Sequence, residues 1–323
     1  MAKLAFGQRL VSFSLMLMPP THWLPVSWVR VLLWLTDRLN GLSRIPLTRV
    51  ENICIPVTTT RVETISARVY QAHLSASSSV SERPTLVFFH GGGCVIGSVD
   101  THDGFCRHLA QHAQVNVVSV GYRLAPEYPF PTAILDAIEA WNWLQDHGPH
   151  LGLNTDHMGV AGDSAGGYLA LLMSLQSIQQ DLAVQVTRKP DFQALLFPML
   201  DLRCERTSYS LCQKGFLLTQ ALMRYFRDRY LSSPQEQASV LASPILHQHW
   251  SECPPTYLLT VEFDPLCDEG LELAQKLKQA GVALEHEHAD DSMHSFISLT
   301  RRCRVAKQRS ANIFKQMHTL AYR

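Results

Sequence analysis

The 323-residue chain is poor in charge and has no excess of either sign. Only 17% of it is Asp, Glu, Lys or Arg, with 28 basic residues against 28 acidic ones. No run of Lys or Arg is long enough to track a phosphate backbone, so a nucleic-acid partner is not expected. Paired cysteines are also missing. The eight thiols, at Cys54, Cys94, Cys106, Cys204, Cys212, Cys253, Cys267 and Cys303, show neither C-x-x-C spacing nor a disulfide ladder. That excludes a secreted disulfide scaffold and makes a reducing, cytoplasmic setting the expectation. There is no solenoid repeat, and the one low-complexity stretch, SASSSVSERP at 75–84, reads as a solvated turn between strands.

One span lacks charge altogether: LVSFSLMLMPPTHWLPVSWV, residues 10–29. It is about as long as a membrane helix, but Pro19, Pro20, Pro25 and His22 interrupt it, and no small-residue cleavage site follows its apolar core. The expectation is a helical segment docked on the protein. Contact with a membrane and a signal peptide are the alternatives.

What is present in quantity is apolar surface, 46% of the residues, enough for a large core. RVETISARVYQA (61–72) alternates as a half-buried antiparallel strand does. TLVFFH, VNVVSVGY, HMGVAG, QALLFPML and TYLLTVEF are instead nearly continuous apolar runs separated by helical stretches, for which 134–144, 165–177, 268–280 and 295–317 are candidates. Continuous apolar strands interleaved with helices imply an α/β fold, a mostly parallel central sheet with helices on both faces. Residues 1–45 and 201–243 fall outside the alternation. Both are read as helical, the second around LTQALMRYFRDRYL, and together they predict a cap over one end of the sheet.

Within GVAGDSAGGYLALL, Gly162, Ser164 and Gly166 form G-x-S-x-G between a strand and a helix, the context of a nucleophile elbow. A serine at a helix start has free N–H groups beside it, and Ala165 can offer one to an oxyanion. A nucleophilic serine needs a base, and the base needs a carboxylate to orient it. Downstream, His294 follows the last strand candidate and Asp264 ends TYLLTVEF. Asp264 is preferred for its strand-end position, with Asp268, Asp290 and Asp291 as alternatives. His286 and His288 alternate along one strand face, and a metal set of His286, His288 and His294 has no partner at ligand spacing, so no metal is expected. The triple glycine after TLVFFH then has a use. Gly92 and Gly93 can aim bare N–H groups at the oxyanion, with Ala165 as third donor.

Taken together, HGGGCVIGSVDTHD from His90, GYRLAPEYPFP from Gly121, GDSAGG from Gly162, DPLCDEG from Asp264, and His294 resemble the hormone-sensitive-lipase-like family of α/β-hydrolase esterases, most closely bacterial acetyl esterases. The resemblance covers roughly residues 50–300. It implies a cofactor-free serine carboxylesterase for short acyl chains, with catalytic Ser164, Asp264 and His294 and an oxyanion hole from Gly92, Gly93 and Ala165. It also implies a catalytic domain of 46–200 and 244–323 under a helical cap of 1–45 and 201–243. His90, Gly91, Glu127 and Asp163 are expected to support the loops. Cys94 and Ser295 depart from the family pattern, where an aromatic residue and a glycine are usual. The expected partner is a small-molecule ester, and a homodimer is one of the open assembly states. A small-molecule receptor on the same fold and a serine amidase or peptidase are the competing functions.

Overall fold

A computed structural model describes residues 4–17, 20–59, 63–72 and 82–323. Eight strands form one sheet in the order β1-β2-β4-β3-β5-β6-β7-β8. They are β1 (Arg49–Pro56), β2 (Thr64–Gln71), β3 (Thr85–Phe89), β4 (Asn116–Gly121), β5 (Met158–Asp163), β6 (Phe192–Leu196), β7 (Thr256–Phe263) and β8 (Leu284–Met293). β2 runs antiparallel to both β1 and β4, and the strands from β4 across to β8 are parallel. The expected mostly parallel α/β sheet is thus observed, with β1 as an edge strand that the sequence pattern did not single out. Most of the expected turn at 75–84 lies outside the described residues.

The apolar runs are continuous because both faces of the sheet are covered. All five residues of β3 are buried, and alternate side chains go to opposite sides. Val87 and Phe89 join the core under α4 (Thr132–His147) and α5 (Ala165–Ser174), while Leu86 and Phe88 join the core under α3 (Asp103–Ala113) and α9 (Arg304–Ala321). Every residue of α5 is buried, which explains why its sequence has no polar face. Each fully buried Val, Leu or Phe contributes about 1.5–3 kcal/mol before the entropy of ordering is counted.

Two expected helices end differently. The 165–177 candidate stops at Ser174. The 295–317 candidate divides into a 3-10 turn, Phe296–Leu299, and α9, because Ser295 is left-handed (φ 55°) and Cys303 is extended.

Four helices lie outside the sheet layers: α1 (Phe6–Leu17), α2 (Val26–Asn40), α6 (Thr207–Leu211) and α7 (Gln220–Tyr230). The remaining helix is α8 (Cys267–Gln279). Ala5 N–H donates to Asp291 O, and Tyr225 Oη of α7 donates to Leu24 O, so the N-terminal segment is tied to β8 and to the insertion after β6.

Candidate active site

The site lies at the carboxyl ends of adjacent strands, where an open α/β sheet leaves its crevices. β5 ends in Asp163, and Ser164 caps α5 with φ 55° and ψ −118°. A non-glycine residue in that region stores about 1–3 kcal/mol of strain, held here because Ser164 N–H donates to Leu196 O while its carbonyl accepts from Tyr168 and Met199. The flanking glycine at 166 is a matter of space: a Cβ there would run into Phe89 O of β3. That contact is why strand, serine and helix approach this closely.

β7 delivers Asp264 and β8 delivers His294. The His294 Nδ1–Asp264 Oδ2 distance is 2.6 Å, and both side chains are buried. Asp264 Oδ1 accepts from Leu266 N–H at 2.8 Å, which leaves Oδ2 aimed at the ring. With the Nδ1 proton held by the carboxylate, Nε2 is the nitrogen free to take a proton. The Phe197 ring stands edge-on to the imidazole at 4.8 Å. The rival carboxylates go elsewhere: Asp290 and Asp291 pair with Arg309, and Asp268 accepts from Ser208 N–H.

Ser164, His294, Gly92 and Gly93 line one cleft of about 160 Å³ with Leu33, Leu218 and other apolar side chains from α2 and the 216–226 segment. Gly92 (φ 122°) and Gly93 (φ 63°) have backbones that side chains rarely adopt, and a Cβ on Gly93 would meet Phe226 of α7. The N–H groups of Gly92, Gly93 and Ala165 have no acceptor among the described residues. Bare donors beside a serine at a helix start form the environment an oxyanion requires.

The supporting residues divide into two sets. Asp163 is buried, accepts from Gly91 N–H at 2.9 Å, and lies 3.1 Å from His102 Nε2. Burial pushes its carboxyl up, but the charge and hydrogen bond of His102 outweigh that and hold it below the usual carboxylate range. His102 responds in kind: burial lowers it, and Asp163 carries it above the ordinary histidine value. His90 stacks on Tyr122 at 4.3 Å and contacts Gly91 O, and burial followed by the neighbouring His102 drives it down to about 3. Glu127 is linked to the glycine loop through Arg30 of α2, which binds the Glu127 carboxylate, Ala125 O and Val95 O.

Neither His102 nor Arg30 is assigned a role by the sequence motifs. His102 was visible in the DTHD end of the glycine motif. Arg30 has no local signature, because its partners are more than 60 residues away. Cys94 is fully buried, and burial pushes its thiol up to about 12, with Tyr230 as its hydrogen-bond neighbour.

The histidine trio considered for a metal is not assembled, since His294 faces Asp264 while His286 and His288 both bond Thr260 Oγ1. Glu262, Cys267 and His288 do bring one donor atom each within 4.8 Å of one another. Burial pushes the Cys267 thiol up to about 12, so its proton competes with any cation.

Residues 86–298 match the alpha/beta hydrolase fold family, and the chain belongs to it. It is 39% identical over 215 residues to an ethyl acetate hydrolase of Pseudomonas putida, a match spanning 66% of each chain. The match thus spans about two thirds of the length of that relative. Among solved structures it is similar to an ester hydrolase from the metagenome of Lake Arreo, complexed with a derivative of bipyridine phosphonate (TM-score 0.87, 29% identity, 98% of each chain). A second is a hyperthermophilic esterase from the archaeon Pyrobaculum calidifontis (TM-score 0.84, 32% identity, 99% of each chain). The resemblance to hormone-sensitive-lipase-like esterases drawn from the motifs therefore holds. No helix among the described residues is long and apolar enough to cross a membrane.

Proposed function

We propose that the chain is a serine carboxylesterase that hydrolyses short-chain acyl esters through an acyl-enzyme. The observation that carries this reading is the strained Ser164 turn facing the same cleft as a buried His294–Asp264 pair. His294 Nε2 takes the hydroxyl proton as Ser164 Oγ attacks the ester carbonyl, and Asp264 stabilises the resulting imidazolium. The N–H groups of Gly92, Gly93 and Ala165 receive the oxyanion, each worth about 3 kcal/mol in the transition state. His294 then gives its proton to the departing alkoxide. Water completes the cycle by attacking the acyl-enzyme with the same base.

Cleft size supports a small substrate. An engineered apolar cavity of about 150 Å³ takes a benzene-sized guest, and this cleft is of similar volume at about 160 Å³. Residues 1–45 and 201–243 act as a cap over the catalytic domain of 46–200 and 244–323, a division supported by α2 and α7 side chains in the cleft wall. His90, Gly91, Asp163 and Glu127 hold the loops without entering the chemistry.

The test is hydrolysis of p-nitrophenyl esters from acetate to palmitate by wild type and Ser164→Ala. Turnover should peak at the short esters and fall about 10⁶-fold in kcat in the variant. Equal rates in the two proteins would sink the esterase reading and favour a ligand-binding protein on the same fold.

A further inference from the structure

α1 and α2 are turned the wrong way round for helices docked on a water-soluble protein. On α1 the outward residues Phe6, Leu10, Phe13 and Leu17 recur at i, i+4, i+7 and i+11, a single apolar stripe, and Phe13 and Leu17 are 64% and 75% exposed. The polar Gln8 and Ser12 point inward and are buried. On α2 the same spacing recurs in Trp28, Leu32, Leu35 and Leu39, all exposed, with Trp23 just ahead of the helix at 74% exposed. Scattered exposed apolar residues need no explanation, but a continuous stripe along each of two consecutive helices does.

Cations predominate around these stripes, although Glu127 pairs with Arg30 of α2, and Asp290 and Asp291, both held by Arg309, lie near the start of α1. Residues 4–40 contain a single acidic residue, Asp37, which is partly buried, while Arg9 and Arg38 are exposed. The end of α2 meets a second basic segment, since Arg301 N–H donates to Asn40 O, and Arg301, Arg302, Arg304 and Lys307 are all exposed. No Asp or Glu occurs between 292 and 308. Leu32 also belongs to the cleft wall, so the outer face continues into the site.

We propose that the outward faces of α1 and α2, with their arginine rim, dock on an anionic lipid surface and present the cleft to it. An apolar stripe flanked by cations and carrying tryptophans is the composition of a helix that lies in the headgroup region. At 12 residues α1 is roughly 18 Å long, too short to span but long enough to lie flat. A second copy of the chain would cover the stripes equally well but would bring the two arginine rims together, which disfavours it.

The experiment is co-sedimentation of the full chain with phosphatidylcholine vesicles and with vesicles that also contain phosphatidylglycerol, at low and high salt. It reads no turnover, so its failure is distinct from failure of the esterase reading. Wild type should bind the anionic vesicles, with affinity falling as salt rises. Arg38→Gln with Arg301→Gln should weaken that binding roughly thirtyfold at low salt. Phe13→Gln with Trp28→Gln should abolish it while hydrolysis of dissolved p-nitrophenyl acetate is unchanged. Absence of binding to anionic vesicles overturns the proposal. So does a stable wild-type dimer that the Phe13→Gln, Trp28→Gln variant dissociates, since the face would then belong to a second copy.

Discussion

At the carboxyl ends of β5, β7 and β8 the buried polar side chains find partners in one another, Asp163 with His102 and Asp264 with His294. In α1 the buried polar side chain Gln8 instead ties backbone: its Oε1 accepts from Met293 N–H at 2.7 Å and its Nε2 donates to Ser292 Oγ. The strand ends thus pair buried polar groups with one another, while the helix uses the polar contacts of Gln8 to anchor itself beside His294 and leaves Phe6, Leu10, Phe13 and Leu17 in solvent. Burial follows what each region must hold fixed, and for α1 that is the end of β8.

The largest effect that tests this contrast comes from the strand ends. Asp264→Asn keeps the shape but removes the charge that opposes an imidazolium, a change that in such serine–histidine–aspartate sets lowers kcat about 10⁴-fold. Far-UV circular dichroism and kcat on p-nitrophenyl acetate read fold and chemistry separately. A loss below tenfold would mean that Asp264 is not the orienting acid. An intermediate effect is expected from the helix side. Gln8→Leu strips a buried N–H of its acceptor at Met293, which costs about 1–3 kcal/mol. Because His294 is the next residue, kcat should fall several-fold along with the melting temperature. A variant that melts early yet turns over normally would show that α1 covers the site without positioning it.

Much of the strand-end architecture was legible from sequence, because its determinants are local. G-x-S-x-G reports a tight turn, an apolar run reports a strand buried on both faces, and Asp264 and His294 follow such runs directly. The mostly parallel α/β sheet and the elbow follow from those patterns, while the strand order does not. What escaped was non-local. β1 is an edge strand of mixed burial, so its period was weak. Arg30 and Gln8 matter through partners 65 to 285 residues away. By composition the apolar N-terminus reads as a docked cap. Leu4, Val29 and Leu33 do pack inward, but composition alone could not reveal that most of its large side chains face out.

The smallest effect concerns the electrostatic tie between α2 and the site. Burial raises the Asp37 carboxyl to about 6, against the opposing pull of His102 and Arg44, with Asp103 adding to the rise and Arg301 reducing it. A carboxyl whose native pKa lies above its unfolded value binds its proton more tightly when folded. Its contribution to stability is therefore complete below about pH 3.8 and is lost as pH rises through about 6. Asp163, held low, acts with the opposite sign, as stability lost when pH falls, but it is common to both proteins and cancels in the comparison. Asp37→Asn should accordingly flatten the decline of melting temperature between pH 4 and pH 6 by a few degrees at most, given about 2–4 °C per kcal/mol in large domains. Superimposable profiles would mean that the α2 carboxyl is hydrated, and that α2 meets the His102 side of the site through the packing of Val29, Leu33 and Thr36 rather than through this charge.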